Sequence, residues 1–212
     1  MSKIQGFISL CFILDKGLND RNFATIKEFY SKLKLGFDFF EILVVCNETE
    51  VETNKKLIEH LEHTRLLVTG NDVKKNLYRG IAAEEFIGDV ILFVDPDEVS
   101  SDILKKVSSL KDMNAMFFEA KARFPFNILN NIFILPASKF SGFRFSLTTL
   151  RTALLSRNFI SPFYDHPDAI LLLRLPKHDS PLSLEQISPS ASAKRAITLG
   201  LHNLPVLSAL FM

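Results

Sequence analysis

Four short runs of apolar residues, each followed by a stretch with helical spacing, constrain this chain more than any other feature. The runs are 7–14, 41–46, 65–69 and 90–94. They are brief, nearly continuous and rich in Ile, Val, Leu and Phe, as expected of strands covered on both faces. Between them, residues 21–35 place Phe23, Ile26, Tyr30 and Leu33 on one helical face, with Gly36 at the end as a cap. Residues 51–63 do the same with Leu57, Ile58 and Leu61, and 73–87 form a third helical stretch ending at Gly88. Repeated β-then-α units predict the α/β class: a mostly parallel central sheet flanked by helices on both faces. Ligands of such sheets bind beyond the carboxyl ends of the strands, where the strand order reverses. Asp15, Asn47, Glu48, Asp95 and Asp97 all fall just past a predicted strand end.

The pattern changes near residue 112. Residues 114–122 read as a strand, 125–136 are apolar and Asn-rich with no assignment, and 146–157 read as a helix. Residues 159–190 hold five of the nine prolines and read as loop, and 191–204 read as a helix bearing Ala196, Leu199 and Leu204. No repeat or linker divides the 212 residues, so one domain is expected. A formal net charge of +1 gives no field for nucleic acid, and any anion site must be local. The N-terminus lacks a leader pattern, and the longest early apolar run is too short to span a bilayer, so a cytoplasmic protein is expected. Cys11 and Cys46, inside apolar runs without metal-ligand spacing, read as buried thiols.

The chemistry-bearing motif is Asp95-Pro96-Asp97-Glu98. Three carboxylates in four residues repel unless a cation or donors compensate. An oxygen-rich cluster of this kind suits Mg²⁺ or Mn²⁺ bridging diphosphate oxygens. The same residues can also cap a helix over 100–106 and complement its dipole, and the local sequence leaves the two readings level. Lys74, Lys75 and Arg79 fit either a diphosphate contact or a solvated helix face. His60 and His63 read as surface helix positions, since no third metal ligand accompanies them. Asp165 and Asp168 fit a turn or a general base for an acceptor hydroxyl. No Ser-His-Asp arrangement and no Gly-rich phosphate loop is present. The uncharged tail 201–212, with Lys194 and Arg195 upstream, fits a membrane interface, a docked segment or a homo-oligomer contact.

The order of these elements is similar to the nucleotide-binding half of the GT-A glycosyltransferases, specifically family 2. Gly88-Asp89-Val90-Ile91-Leu92-Phe93-Val94-Asp95-Pro96-Asp97 matches that family's Gly-Asp, strand, Asp-x-Asp order, and Leu77-Tyr78-Arg79-Gly80 matches the preceding helix. Phe140-Ser141-Gly142-Phe143-Arg144 resembles the Ser-Gly-Phe-Arg segment of the dolichyl- or polyprenyl-phosphate sugar transferases. Ser190 to Arg195 sits where that subgroup carries a Gly-x-Ser-Lys element.

The resemblance implies a Rossmann-like nucleotide-diphospho-sugar transferase fold, with residues 1–112 holding the nucleotide sugar and 113–212 the acceptor. It implies Asp95 on the sugar or ribose and Asp97 on the metal. Ser141 would lie near the site, and Arg144 and Lys194 would lie on phosphate. It also implies inverting transfer from a nucleoside diphosphate sugar to a polyprenyl phosphate or a surface glycan, at or near the inner membrane face. Two departures stand out. Leu14-Asp15-Lys16-Gly17 replaces the family's Pro-x-Tyr/Phe-Asn, and Cys46-Asn47-Glu48-Thr49 replaces Asp-Asp-Gly-Ser or Asp-Asn-Gly-Ser. Cys46 thus stands where the family's base-contacting aspartate does, and base recognition is altered, moved to Glu48 or lost. A degenerate partner module with the same fold is the alternative. A nucleotidyltransferase fits less well, lacking its Gly-rich signature at 6–20.

Overall fold

The computed structural model describes residues 3–14, 18–73, 77–96, 99–107, 115–120, 149–157 and 183–187. Strand β1 (Ile4–Ile13) leads to helix α1 (Asp20–Gly36), whose N-cap Asn19 accepts the Asn22 N–H at 2.8 Å. Strand β2 (Phe37–Asn47), a single 3₁₀ turn, helix α2 (Val51–His60) and strand β3 (Thr64–Thr69) follow. Helix α3 (Tyr78–Glu85) precedes β4 (Val90–Val94), a 3₁₀ helix over Ser101–Lys106, and then β5 (Ala115–Ala120), β6 (Thr149–Ser156) and β7 (Ser183–Ile187).

The seven strands form one sheet in the order β3-β2-β1-β4-β6-β5-β7. The pairs β3-β2, β2-β1, β1-β4 and β5-β7 are parallel, and β6 runs antiparallel to both β4 and β5. From β1 the chain steps outward to β2 and β3, then returns to place β4 on the other side of β1. The order therefore reverses between β1 and β4, and the ligands of such sheets bind beyond the carboxyl ends at a point of this kind.

Alternation along each strand assigns the two faces. Ile8, Leu10 and Phe12 of β1, and Leu14 just after it, turn toward α1, meeting Ile26, Phe29 and Leu33; the Phe12 and Phe29 rings meet edge to face at 5.6 Å. Cys11, Leu43, Val45, Ile91 and Phe93 turn to the other face, under Tyr78, Ala82 and Ala83 of α3.

Three expectations need correction. Within the stretch read as a helix, 146–157, β6 occupies Thr149–Ser156 as a central strand. Ala153, Leu154 and Leu155 are all buried, because both faces of β6 are covered, and a run buried on both sides carries no period that separates strand from helix. The third helix begins at Tyr78 rather than 73, because Gly70–Val73 forms a turn closed by the Val73 N–H on the Gly70 carbonyl at 3.1 Å. Also, Gly36 is the last residue of α1 and Phe37 its extended cap, so no left-handed glycine ends that helix.

At the amino ends of the strands, a buried polar knot ties the α3–β4 connection to the sheet. The Glu41 Oε1 accepts from the Ser9 hydroxyl at 2.5 Å and from the Ile87 N–H at 2.8 Å, while Oε2 accepts from Arg65 Nε at 3.0 Å. The Gly88 N–H donates to Ser9 Oγ at 2.9 Å, and Asp89 exchanges two bonds with the Phe7 backbone, at 2.7 and 2.9 Å. Arg157 donates to the Phe86 carbonyl at 2.7 Å and stacks over the Phe86 ring at 4.6 Å. A Cβ at Gly88 would lie 2.7 Å from the Phe7 carbonyl oxygen, so this close approach admits only glycine.

Candidate functional site

Strand β4 is buried along its whole length and delivers Asp95 to the reversal point. The register pairs Phe12 of β1 with Val94, so the end of β1 lies level with Asp95. Asp95 is half-buried, and its N–H donates to the hydroxyl of Thr152, a fully buried residue of β6, at 3.4 Å. That anchor escaped the sequence reading because Thr152 lay in a segment read as helix. Pro96 follows and fixes its own φ, stiffening the exit. Asp97 and Glu98 lie outside the described residues.

Among the described residues, Arg79 is a basic residue that the fold brings to this face. It is buried, and its guanidinium lies 5.5 Å from the centroid of Phe93, two residues before Asp95 on the same side of β4. The solvated-face reading of Arg79 therefore fails, because α3 turns this position onto the sheet. The Cys11 thiol lies near it and is pushed up to about 12, chiefly by burial, with Arg79 pulling down and Glu41 pushing up.

At the end of β2, Asn47 has a structural task. Its Oδ1 accepts from the Glu50 N–H at 3.1 Å and the Thr49 hydroxyl at 2.6 Å, and the Glu50 carboxylate accepts back from the Asn47 N–H at 3.3 Å. This capping box starts the turn into α2. Glu48 is exposed and accepts from Asn71 Nδ2 at 3.3 Å, which joins the exit of β2 to that of β3. Asn71 was read from the sequence only as part of a turn, since its partner lies 23 positions away. Cys46 is fully buried, and its thiol is raised by burial, with the neighbouring Asn54 amide opposing.

Of the remaining expected site residues, Asp15, Lys74, Ser141, Arg144, Asp165, Asp168 and Lys194 lie outside the described residues, as does the tail 201–212. His60 and His63 pack edge-on against Phe23 and Phe40, at 6.0 and 5.6 Å. Among the described residues, no three His, Cys, Asp or Glu side chains converge on a metal position, and no helix is long and apolar enough to cross a membrane. Asp95 offers hard oxygen donors. Since Mg²⁺ and Mn²⁺ on a nucleotide need only one or two carboxylates beside phosphate oxygens and waters, the donor set at this strand end fits such an ion.

No family model and no curated protein matches the sequence. Solved structures do match. Glucosyl-3-phosphoglycerate synthase from Mycobacterium tuberculosis superposes with a TM-score of 0.61 at 11% identity, over 97% of this chain and 80% of that one. Mannosyl-3-phosphoglycerate synthase from Rubrobacter xylanophilus gives 0.57 at 11%, over 96% and 73%. The mannosyltransferase of Pyrobaculum calidifontis, solved with GDP-Man and Mn²⁺, gives 0.51 at 13%, over 85% and 57%. The mycobacterial synthase has also been solved with Mn²⁺ and UDP-glucose. The fold of this chain is therefore that of the GT-A glycosyltransferases, two of whose matching structures hold Mn²⁺ with a nucleotide sugar.

Proposed function

We propose that this protein is a metal-dependent glycosyltransferase that moves a sugar from a nucleoside diphosphate sugar to an acceptor. The observation that carries the reading is the placement of Asp95 at the carboxyl end of β4, beside the end of β1, where the order of the parallel strands reverses. Solved proteins of the same fold hold Mn²⁺ with UDP-glucose or GDP-mannose, which supports it.

In this reading Asp95 contacts the sugar or ribose, and Asp97 is the metal ligand. Mg²⁺ or Mn²⁺ supplies charge neutralisation on the leaving diphosphate. Arg79 and Lys74 add positive charge on the diphosphate side, and Asp15 lines the crevice from the end of β1. Ser141, Arg144 and Lys194 belong to the acceptor half, residues 113–212, where the two basic residues suit a polyprenyl phosphate. A phosphate acceptor is already an anion and needs little base assistance. A glycan hydroxyl needs a base, and Asp165 or Asp168 takes that role. Displacement is in line, with inversion. The tail 201–212 contacts the inner membrane face or a second copy of a cytoplasmic protein.

A second reading is a catalytically silent module of the same fold. The full burial of Cys46, at the position of the family's base-contacting aspartate, favours it.

Calorimetric titration of UDP and GDP, with and without Mn²⁺, into the wild type and Asp97→Ala separates the two. Metal-dependent binding that the variant loses supports the transferase. A folded wild type that binds neither nucleotide overturns it.

A further inference from the structure

Both ladders of β6 break at the same place. Its pairing with β4 sets Ser156 to Ala153 against Val90 to Phe93 and stops there, two residues before Asp95. On its other side, Ala153 pairs with Phe117 of β5, but the next registered pair is Thr149 with Glu119. Residues 150–152 of β6 therefore stand against Phe118 alone. Extra residues of this kind form a bulge, which interrupts a ladder and re-aims the side chains beside it. Thr152 is the bulge residue next to the closed ladder, and it is fully buried, followed by the buried Ala153, Leu154 and Leu155. Valine has nearly the same shape and would lie there without taking a hydroxyl out of water, which is unfavourable unless the hydroxyl finds a partner. The structure supplies one at the candidate site: Thr152 Oγ1 accepts the Asp95 N–H at 3.4 Å.

We propose that Thr152 is a positioning residue: the bulge in β6 releases its hydroxyl from the regular ladder to hold the backbone at Asp95, and so sets the start of the acidic run for a metal-bound nucleoside diphosphate. The proposal rests on the transferase reading above. On both sides of β4 the registered pairing ends before Asp95, at Val94 with Phe12 of β1 and at Phe93 with Ala153 of β6. The Thr152 hydroxyl carries the hold of β6 on to Asp95, across the residue where that ladder has already stopped. Sites of this kind need their ligands held to within about 0.5 Å, by groups that are themselves locked by packing. A buried threonine is such a group, since its branched side chain is stiff at χ1.

The test titrates UDP and GDP, with and without Mn²⁺, into the full chain and into Thr152→Val, Thr152→Ser and Thr152→Ala, each also followed by thermal melting. Valine keeps the packing and loses the hydroxyl; serine keeps the hydroxyl and loses a buried methyl, so it melts below the wild type. Thr152→Val is expected to lower the Mn²⁺-dependent affinity for the nucleotide that the wild type binds by about tenfold, near the upper end for one hydrogen bond. Thr152→Ser stays within about threefold of the wild type despite its lower melting temperature. Serine and alanine differ only in the hydroxyl, so that pair repeats the comparison should valine fail to fold, with alanine the weaker binder. Affinity thus follows the hydroxyl and not the melting temperature. Wild-type affinity in Thr152→Val, or serine binding as weakly as alanine, overturns the positioning role while the transferase reading stands. A folded wild type that binds neither nucleotide overturns both.

Discussion

Replacing Glu41 with Gln tests the knot that ties the α3–β4 connection to the sheet. The side chain is 4% exposed and accepts from three groups: the Ser9 hydroxyl, the Ile87 N–H and Arg65. Glutamine keeps the shape, but one of its two terminal positions becomes a donor. Whichever way the amide turns, a donor faces a donor: Arg65 on one side, or Ser9 and Ile87 on the other. Hydrogen bonds to charged groups are worth about 1.5–3 kcal/mol each, and a buried donor left unsatisfied costs a similar amount. Arg65 is 40% exposed and regains water, which discounts its share. The net loss is about 3 kcal/mol, which for a chain of this size lowers the melting temperature by roughly 6–12 °C. Thermal melts followed by circular dichroism read this directly. A shift under about 2 °C would refute the reasoning, because it would mean that the carboxylate is hydrated in solution rather than closed in the knot. A double-mutant cycle with Arg65→Ala should return a coupling energy well above zero.

Gly88→Ala forces a Cβ to within 2.7 Å of the Phe7 carbonyl oxygen, backbone that cannot swing aside, and should cost about 1–3 kcal/mol in the same melts; a neutral result would show that the connection slides freely on β1. The Glu28 carboxyl is held below its ordinary range, first by the Ser101 hydroxyl and then by Lys32. A lowered folded value means that this link, which seats the 3₁₀ helix after Asp95 on α1, stabilises at pH above the ordinary glutamate range and is lost as pH falls through the folded value. Melting curves of wild type and Glu28→Gln should differ at neutral pH and converge in acid, and a gap that persists unchanged in acid would count against the link.

The parallel half of the fold was legible because its physics is local. Strands β1, β2 and β4 carry runs buried on both faces, β3 is a short apolar edge strand, and the connections between them carry helices, so run and period sufficed. Strand β4 was read at its observed bounds, Val90–Val94, because Gly88 and Asp95 punctuate it. Strand β6 was missed for the same reason that β4 was found: burial on both faces makes a continuous run, and here no glycine or aspartate stood close enough to mark it as short. Its length alone favoured a helix.

The site divides along a similar line. The place of Asp95 was legible because it directly follows a short apolar run, although the local sequence left a helix cap and a metal site level. The motif around it mixes two roles that sequence does not separate. Gly88 and Asp89 are anchors at the amino end of β4, bonded to Ser9 and Phe7, while Asp95 lies at the carboxyl end. A five-residue strand thus carries a fastening on one end and a candidate ligand position on the other, and matching the whole motif credits both to chemistry. The reverse error occurs at β2. Asn47 fitted the family pattern yet spends its oxygen on the cap of the turn, while Glu48, the departure from that pattern, is the group left open toward the β3 exit. That sorting follows from which donors each oxygen already holds.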